Sequence, residues 1–147
     1  MPFNTRLDVA VRMILQAGIP DGRNVTFLEA PGFVRARDMA RFRLPIGSTT
    51  DGASTPAILW PGIPPFGPHW LPAAFHDGGY RDYLELWNGM LWVRASLPRV
   101  ECDELLDEAM GCTGVEERIK FLIFEGVRLG GEASFRQDRL AASRSLT

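Results

Sequence analysis

Between Gly47 and Pro68 the chain carries five prolines (Pro56, Pro61, Pro64, Pro65 and Pro68) and four glycines (Gly47, Gly52, Gly62 and Gly67). Each proline removes a backbone donor and fixes φ, so no helix or central strand can run through this stretch. Ile58, Leu59, Trp60, Ile63 and Phe66 lie in it as well, and a solvated linker would not carry them. The stretch therefore reads as a packed, irregular loop of the kind that builds sites. It also divides the chain, because the hydrophobic period differs on its two sides.

Before the loop the period is two. Leu7, Val9, Val11 and Met13 alternate with Arg6, Asp8, Ala10 and Arg12, the pattern of a half-buried strand. Ile19-Pro20-Asp21-Gly22 is a turn signal. Val25 to Leu28 reads as a second strand, Pro31-Gly32 as a break and Phe33 to Phe42 as a further strand. Arg41 to Ile46 alternates again through Phe42, Leu44 and Ile46.

After the loop the period is helical. A helix from about Leu71 to Leu84, with Pro72 in its first turn, puts Ala73, His76, Asp77, Tyr80 and Leu84 on one face. Gly78 and Gly79 weaken it by roughly 1 kcal/mol each relative to alanine, and they let another backbone come close. Asn88-Gly89, between Leu86-Trp87 and Met90 to Val93, predicts a short hairpin. A second helix starts near Pro98, with Ser96 as candidate N-cap, and ends by Gly111. A third opens with Thr113 and Glu116 at capping-box spacing. Its apolar stripe is Val115, Ile119, Leu122, Ile123 and Val127, and Gly130-Gly131 are expected to stop it. The expected fold is α+β: a small N-terminal antiparallel β-sheet, the Pro/Gly-rich loop, then three packed α-helices. Residues 1–131 form a single domain in this reading, and 132–147 form a polar C-terminal tail, frayed or ordered by a partner.

A chain of 147 residues with 46% hydrophobic and 23% charged residues has the composition and length for one real core. The net charge of -2 gives no electrostatic footprint for nucleic acid, and no nucleic-acid partner is expected. No apolar run approaches the roughly 18 residues of a membrane span, and Met1 to Asp8 shows no signal-peptide pattern. Cys102 and Cys112 are the two cysteines. On one helix they would stand roughly 15 Å apart, beyond disulfide reach, so both are expected to be reduced and partly buried.

The chemistry concentrates on His76, which is followed by Asp77 and, one turn later, by Tyr80. If the first two helices pack antiparallel, Asp103 can face His76. A carboxylate that holds one ring N–H fixes the tautomer and leaves the other nitrogen as a base for water or a hydroxyl. Asp77 could bind a divalent cation with loop oxygens. Thr50, Asp51 and Ser54 are the candidate ligand residues of the loop. Each has a plainer explanation. A helical His-Asp pair is more often a satisfied structural hydrogen bond, Tyr80 a core aromatic with a tethered hydroxyl, and Asp103 to Glu108 a solvated acidic face.

The run Leu44 to Pro56, with Pro45, Gly47, Thr50-Asp51, Ala53-Ser54 and Pro56, resembles the P-x-G-F-x-T-D-x-A-S-x-P signature of a phage and prophage family, domain of unknown function 1353. Ala73 to Tyr80 looks like that family's A-A-x-H-D-x-x-Y helix, Arg99 with Cys102-Asp103 and Met110 like its next helix, and Val127 to Gly131 like its closing helix. The match covers about residues 25 to 132. Ser48 stands in place of the aromatic, Thr49 is an extra residue, Cys102 replaces a small residue, Leu106 replaces an aromatic, and Arg81 to Leu97 looks like an insertion. The resemblance implies a protein made in the bacterial host cytoplasm and carried in the virion, in tail or neck, with other phage structural proteins as partners. A weaker similarity links His76-Asp77-x-x-Tyr80 and the Asp103 helix to phospholipase A2 enzymes. It implies His76 as water-activating base, Asp77 as calcium ligand, Asp103 as orienter and Tyr80 as support.

Three functions compete on this basis. One is a virion-associated protein whose His-Asp site is structural. Another is a hydrolase acting on lipid or another envelope ester, with Ca2+ or another divalent cation as possible cofactor. The third is a metal site formed by Asp51, His76, Asp77 and Asp103.

Overall fold

The computed structural model describes residues 20–21, 24–27, 30–50 and 69–145. The strand expected over residues 6–13 and the Pro/Gly-rich segment 51–68, with Asp51 and Ser54, lie outside the described residues. The described elements are β1 Pro20–Asp21, β2 Asn24–Thr26, β3 Gly32–Val34, β4 Arg41–Arg43, β5 Thr49–Thr50, α1 Trp70–Tyr80, β6 Glu85–Trp87, β7 Trp92–Arg94, α2 Arg99–Cys112 and α3 Glu117–Ser145. The architecture is α+β, with antiparallel sheet toward the N-terminus and three helices.

The stretch Phe33 to Phe42 is not one strand. It folds back as the β3–β4 hairpin, with Phe33 opposite Phe42. The reason is local: Asp38 accepts the Ala40 N–H and the Arg35 guanidinium, and the Arg35 N–H bonds to the Ala40 carbonyl at 2.8 Å. Pro45 to Ser48 makes a turn, with the Ser48 N–H on the Pro45 carbonyl and Gly47 at φ +88°. Ile46 therefore leaves the alternating pattern and is exposed.

The Asn88-Gly89 hairpin forms as expected, β6 against β7. Asn88 accepts the N–H groups of Met90 and Leu91. β6 also pairs with β4, giving the sheet order β3-β4-β6-β7. A segment that resembles an insertion in the sequence thus supplies half of the larger sheet. The smaller sheet has the order β1-β2-β5.

α1 is buried along its whole length, as a helix covered on every side must be. It begins at Trp70 and ends at Tyr80, a turn short of Leu84. Asp82 at φ +64° turns the chain back, and the N–H groups of Tyr83 and Leu84 reach the Gly78 carbonyl. The two glycines of α1 do allow close approach, but of side chains. A Cβ at Gly78 would sit 2.6 Å from Leu44 Cδ2, and one at Gly79 would sit 2.8 Å from Cys102 Sγ. One core gathers Phe33, Phe42, Leu44, Leu71, Phe75, Leu84 and Leu105; Leu106, Met110, Val115, Ile123 and Val127 form a second between α2 and α3.

Pro98, not Ser96, occupies the N-cap position of α2, and Ser96 is a left-handed residue at φ +48°. Thr113 caps the end of α2 rather than the start of α3; its hydroxyl bonds back to the carbonyls of Ala109 and Met110. The third helix does not stop at Gly130-Gly131. α3 runs on to Ser145, through the residues expected as a polar tail. Glycine inside a helix costs only about 1 kcal/mol, and the docking of Phe135 and Arg139 onto α1 outweighs it. Phe135 meets Tyr80 edge-on at 5.1 Å between ring centroids. Arg139 donates to the carbonyls of Gly79, Tyr80 and Leu97. It places a cation at the C-terminal end of α1, where the helix dipole favours one.

Candidate functional site

α1 and α2 meet in opposite chain order, with Gly79 on Cys102 and His76 on Asp103. His76 lies four positions from Tyr80 and Asp103 four from Arg99 on their own helices, so all four side chains converge on one crossing. His76 Nε2 lies 2.8 Å from Asp103 Oδ1, and the Tyr80 hydroxyl donates to the same oxygen at 2.8 Å. The rings of His76 and Tyr80 stand 4.1 Å apart between centroids.

Asp103 is 0% exposed, and a buried carboxylate needs every partner it can find. All of its neighbours are donors, and it must therefore act as an acceptor. Nε2 carries the proton on His76 in that arrangement, and Nδ1 is the nitrogen left for other work. Burial, then the bond to Asp103, pushes the Tyr80 hydroxyl above its ordinary range, so Tyr80 acts as a neutral donor. The second carboxylate oxygen, Oδ2, is buried without a hydrogen bond; Arg99 Nε, also buried without one, faces it at 3.8 Å.

His76 is not sealed in the core. It lines a cleft of about 460 Å³ between α1 and α3, with Asp77, Tyr80 and Arg81 on one wall and Gly126, Gly130, Gly131, Ser134, Gln137 and Asp138 among the residues of the other. Gly131 lies on this second wall for a steric reason. A Cβ there would come within 2.5 Å of the Tyr80 hydroxyl and 3.5 Å of Arg99 Nε.

Of the residues singled out in the sequence, the structure brings His76, Tyr80 and Asp103 together and places Asp77 beside them. Asp77 is buried and pairs with Arg81 Nε at 3.2 Å. Thr50 closes β5 against Val25. Asp51 and Ser54 lie outside the described residues. Among the described residues no three His, Cys, Asp or Glu side chains are grouped to hold a metal ion. The acidic face of α2 is not simply solvated either: Arg35 and Arg37 reach Glu101, Arg37 reaches Glu104, and the Ala36 N–H bonds to Glu108. Cys102 and Cys112 are free thiols, and burial pushes Cys102 up to about 12, which makes it a packing residue.

Arg99, Phe135 and Arg139 have parts in the site that spacing alone did not reveal. The four-residue interval from Arg99 to Asp103 was the available signal for the first. For the other two the sequence holds no signal, because Gly130-Gly131 mask the continuation of α3 to Ser145.

Fold and site together define an α+β domain with a histidine-carboxylate pair at the mouth of a cleft. The chain belongs to the family described as protein of unknown function (DUF1353), which matches residues 27–127. No curated protein and no solved structure matches the chain. No helix of the described residues is long and apolar enough to cross a membrane.

Proposed function

We propose that the chain is a hydrolase in which His76 acts as general base on water, attacking a lipid or another ester of the bacterial envelope. The observation that supports this most is the His76–Asp103 bond of 2.8 Å on a ring that also lines an open cleft. Asp103 takes Nε2, and Nδ1 can accept a proton from water as its oxygen attacks the ester carbonyl. The tetrahedral intermediate then expels the alcohol, which takes the same proton back from the imidazolium. A positioned base of this kind contributes roughly 10²–10⁴-fold in rate. Tyr80 and Arg99 hold Asp103 and touch no reacting atom. No step uses a cation.

The test is an assay of the purified chain on phospholipid vesicles, short-chain carboxylic esters and peptidoglycan, with His76→Ala and Asp103→Asn as controls. Turnover by the wild type that falls by roughly 10²–10⁴-fold in His76→Ala is expected. Equal turnover in the variants, or none in the wild type across the panel, would sink the hydrolase.

A second reading is a virion-associated protein of tail or neck, made in the host cytoplasm and assembled with other phage structural proteins. It is favoured by α3, where Phe121, Leu129 and Leu140 are 62%, 87% and 58% exposed and fall within roughly 100° of one another around the helix. Such a stripe suits a neighbouring subunit. Mass spectrometry of purified particles tests it, and absence of the chain overturns it.

A further inference from the structure

We propose that Arg99 is a positioning residue for His76: anchored on α3, it keeps Asp103 a pure acceptor and so holds the imidazole in the tautomer that leaves Nδ1 unprotonated. The inference rests on the proposed role of His76 as base.

Three observations carry it. Arg99 Nη2 donates to the carbonyl of Val127 at 3.1 Å and to that of Arg128, which fixes the guanidinium against α3. Its Nε is thereby held 3.8 Å from Asp103 Oδ2, and these two atoms are the buried side-chain polar atoms left without a hydrogen bond among the described residues. Finally, Gly131 passes over this corner where any side chain would strike Tyr80 and approach Arg99.

The physical consequence follows from what Asp103 would do without a cation. A buried carboxylate lacking one tends to take up a proton. As an acid it could donate to Nε2, and His76 would then carry its own proton on Nδ1, the wrong nitrogen for a base. With Arg99 present, its charge faces Oδ2 at 3.8 Å and opposes the neutral acid that would donate from Oδ1. Arginine suits the task because it is always charged and its fork can bond two carbonyls while Nε faces the carboxylate.

The experiment is ¹⁵N NMR of the imidazole nitrogens in the full chain, for wild type, Arg99→Met and Arg99→Lys, with Asp103→Asn as a reference for the lost acceptor. The wild type is expected to show one tautomer, protonated on Nε2. Arg99→Met is expected to lose it and give a mixture, and Arg99→Lys, which restores the charge without the fork, to recover most of it. A folded Arg99→Met with the wild-type tautomer overturns the proposal, as does a wild type protonated on Nδ1. Should the methionine variant not fold, Arg99→Lys decides: one tautomer supports the role and a mixture overturns it. The readout needs no substrate, so it is independent of whether hydrolysis is found.

Discussion

His76 and Tyr80 share a single oxygen of Asp103, each at 2.8 Å, from positions one turn apart on the same helix. The hydroxyl and the imidazole are thus partners of one acceptor. Replacing Tyr80 by phenylalanine removes one of the two bonds and leaves the ring against Phe135. A hydrogen bond to a charged group is worth about 1.5–3 kcal/mol, and Tyr80→Phe should lose stability in that range. Asp103→Ala should cost more, about 3–5 kcal/mol, because it strands buried donors and an arginine. Urea denaturation of the three proteins checks the order, and an Asp103→Ala as stable as Tyr80→Phe would contradict the buried network.

Gly79 has a helical conformation that alanine would ordinarily improve, by about 1 kcal/mol. Here the added methyl would meet Cys102 Sγ at 2.8 Å in a filled core. Overpacking of that kind costs about 1–3 kcal/mol, so Gly79→Ala should be destabilising. In Cys102→Ala the same substitution should become neutral or favourable. A double-mutant cycle measures the coupling, and additive effects would rule out the contact.

The β3–β4 turn has its own titration. The Arg35 guanidinium and then the Ala40 N–H hold Asp38 down to about 2. A carboxylate whose folded value is depressed stabilises the fold above its unfolded value, near 3.9. That contribution is lost as pH falls through about 2. In Arg35→Ala the Asp38 carboxyl should titrate near its ordinary value, as read by ¹³C NMR. Asp38 is partly exposed, so salt should weaken the effect.

Much of this architecture was legible in the sequence. The three-helix order, the Asn88-Gly89 hairpin and the His76–Asp103 meeting all follow from local chemistry: helical spacing, a two-residue turn, and carboxylates and imidazole on facing stripes. The errors share a cause. Gly130-Gly131 looked like a helix stop because local propensity carries no information about Tyr80, whose hydroxyl occupies the space a side chain would need. Phe33 to Phe42 looked continuous because the Asp38–Arg35 bond that folds it is made by side chains. Ser96 and Thr113 have capping chemistry, yet the first takes a left-handed backbone and the second ends the preceding helix. Side-chain contacts, some distant in the chain and some local, decided each case.

Arg139 reaches back sixty positions to the Gly79 carbonyl, and this dictates an order of events during synthesis. A ribosome that has delivered His76 and Asp103 has delivered an imidazole with one side of its groove missing. The second side arrives only when the stretch through Arg139 has emerged and wound onto the first helix. A nascent or clipped product lacking those last turns would leave the imidazole open to bulk water. The groove closes only once that stretch has docked, with the arginine as latch.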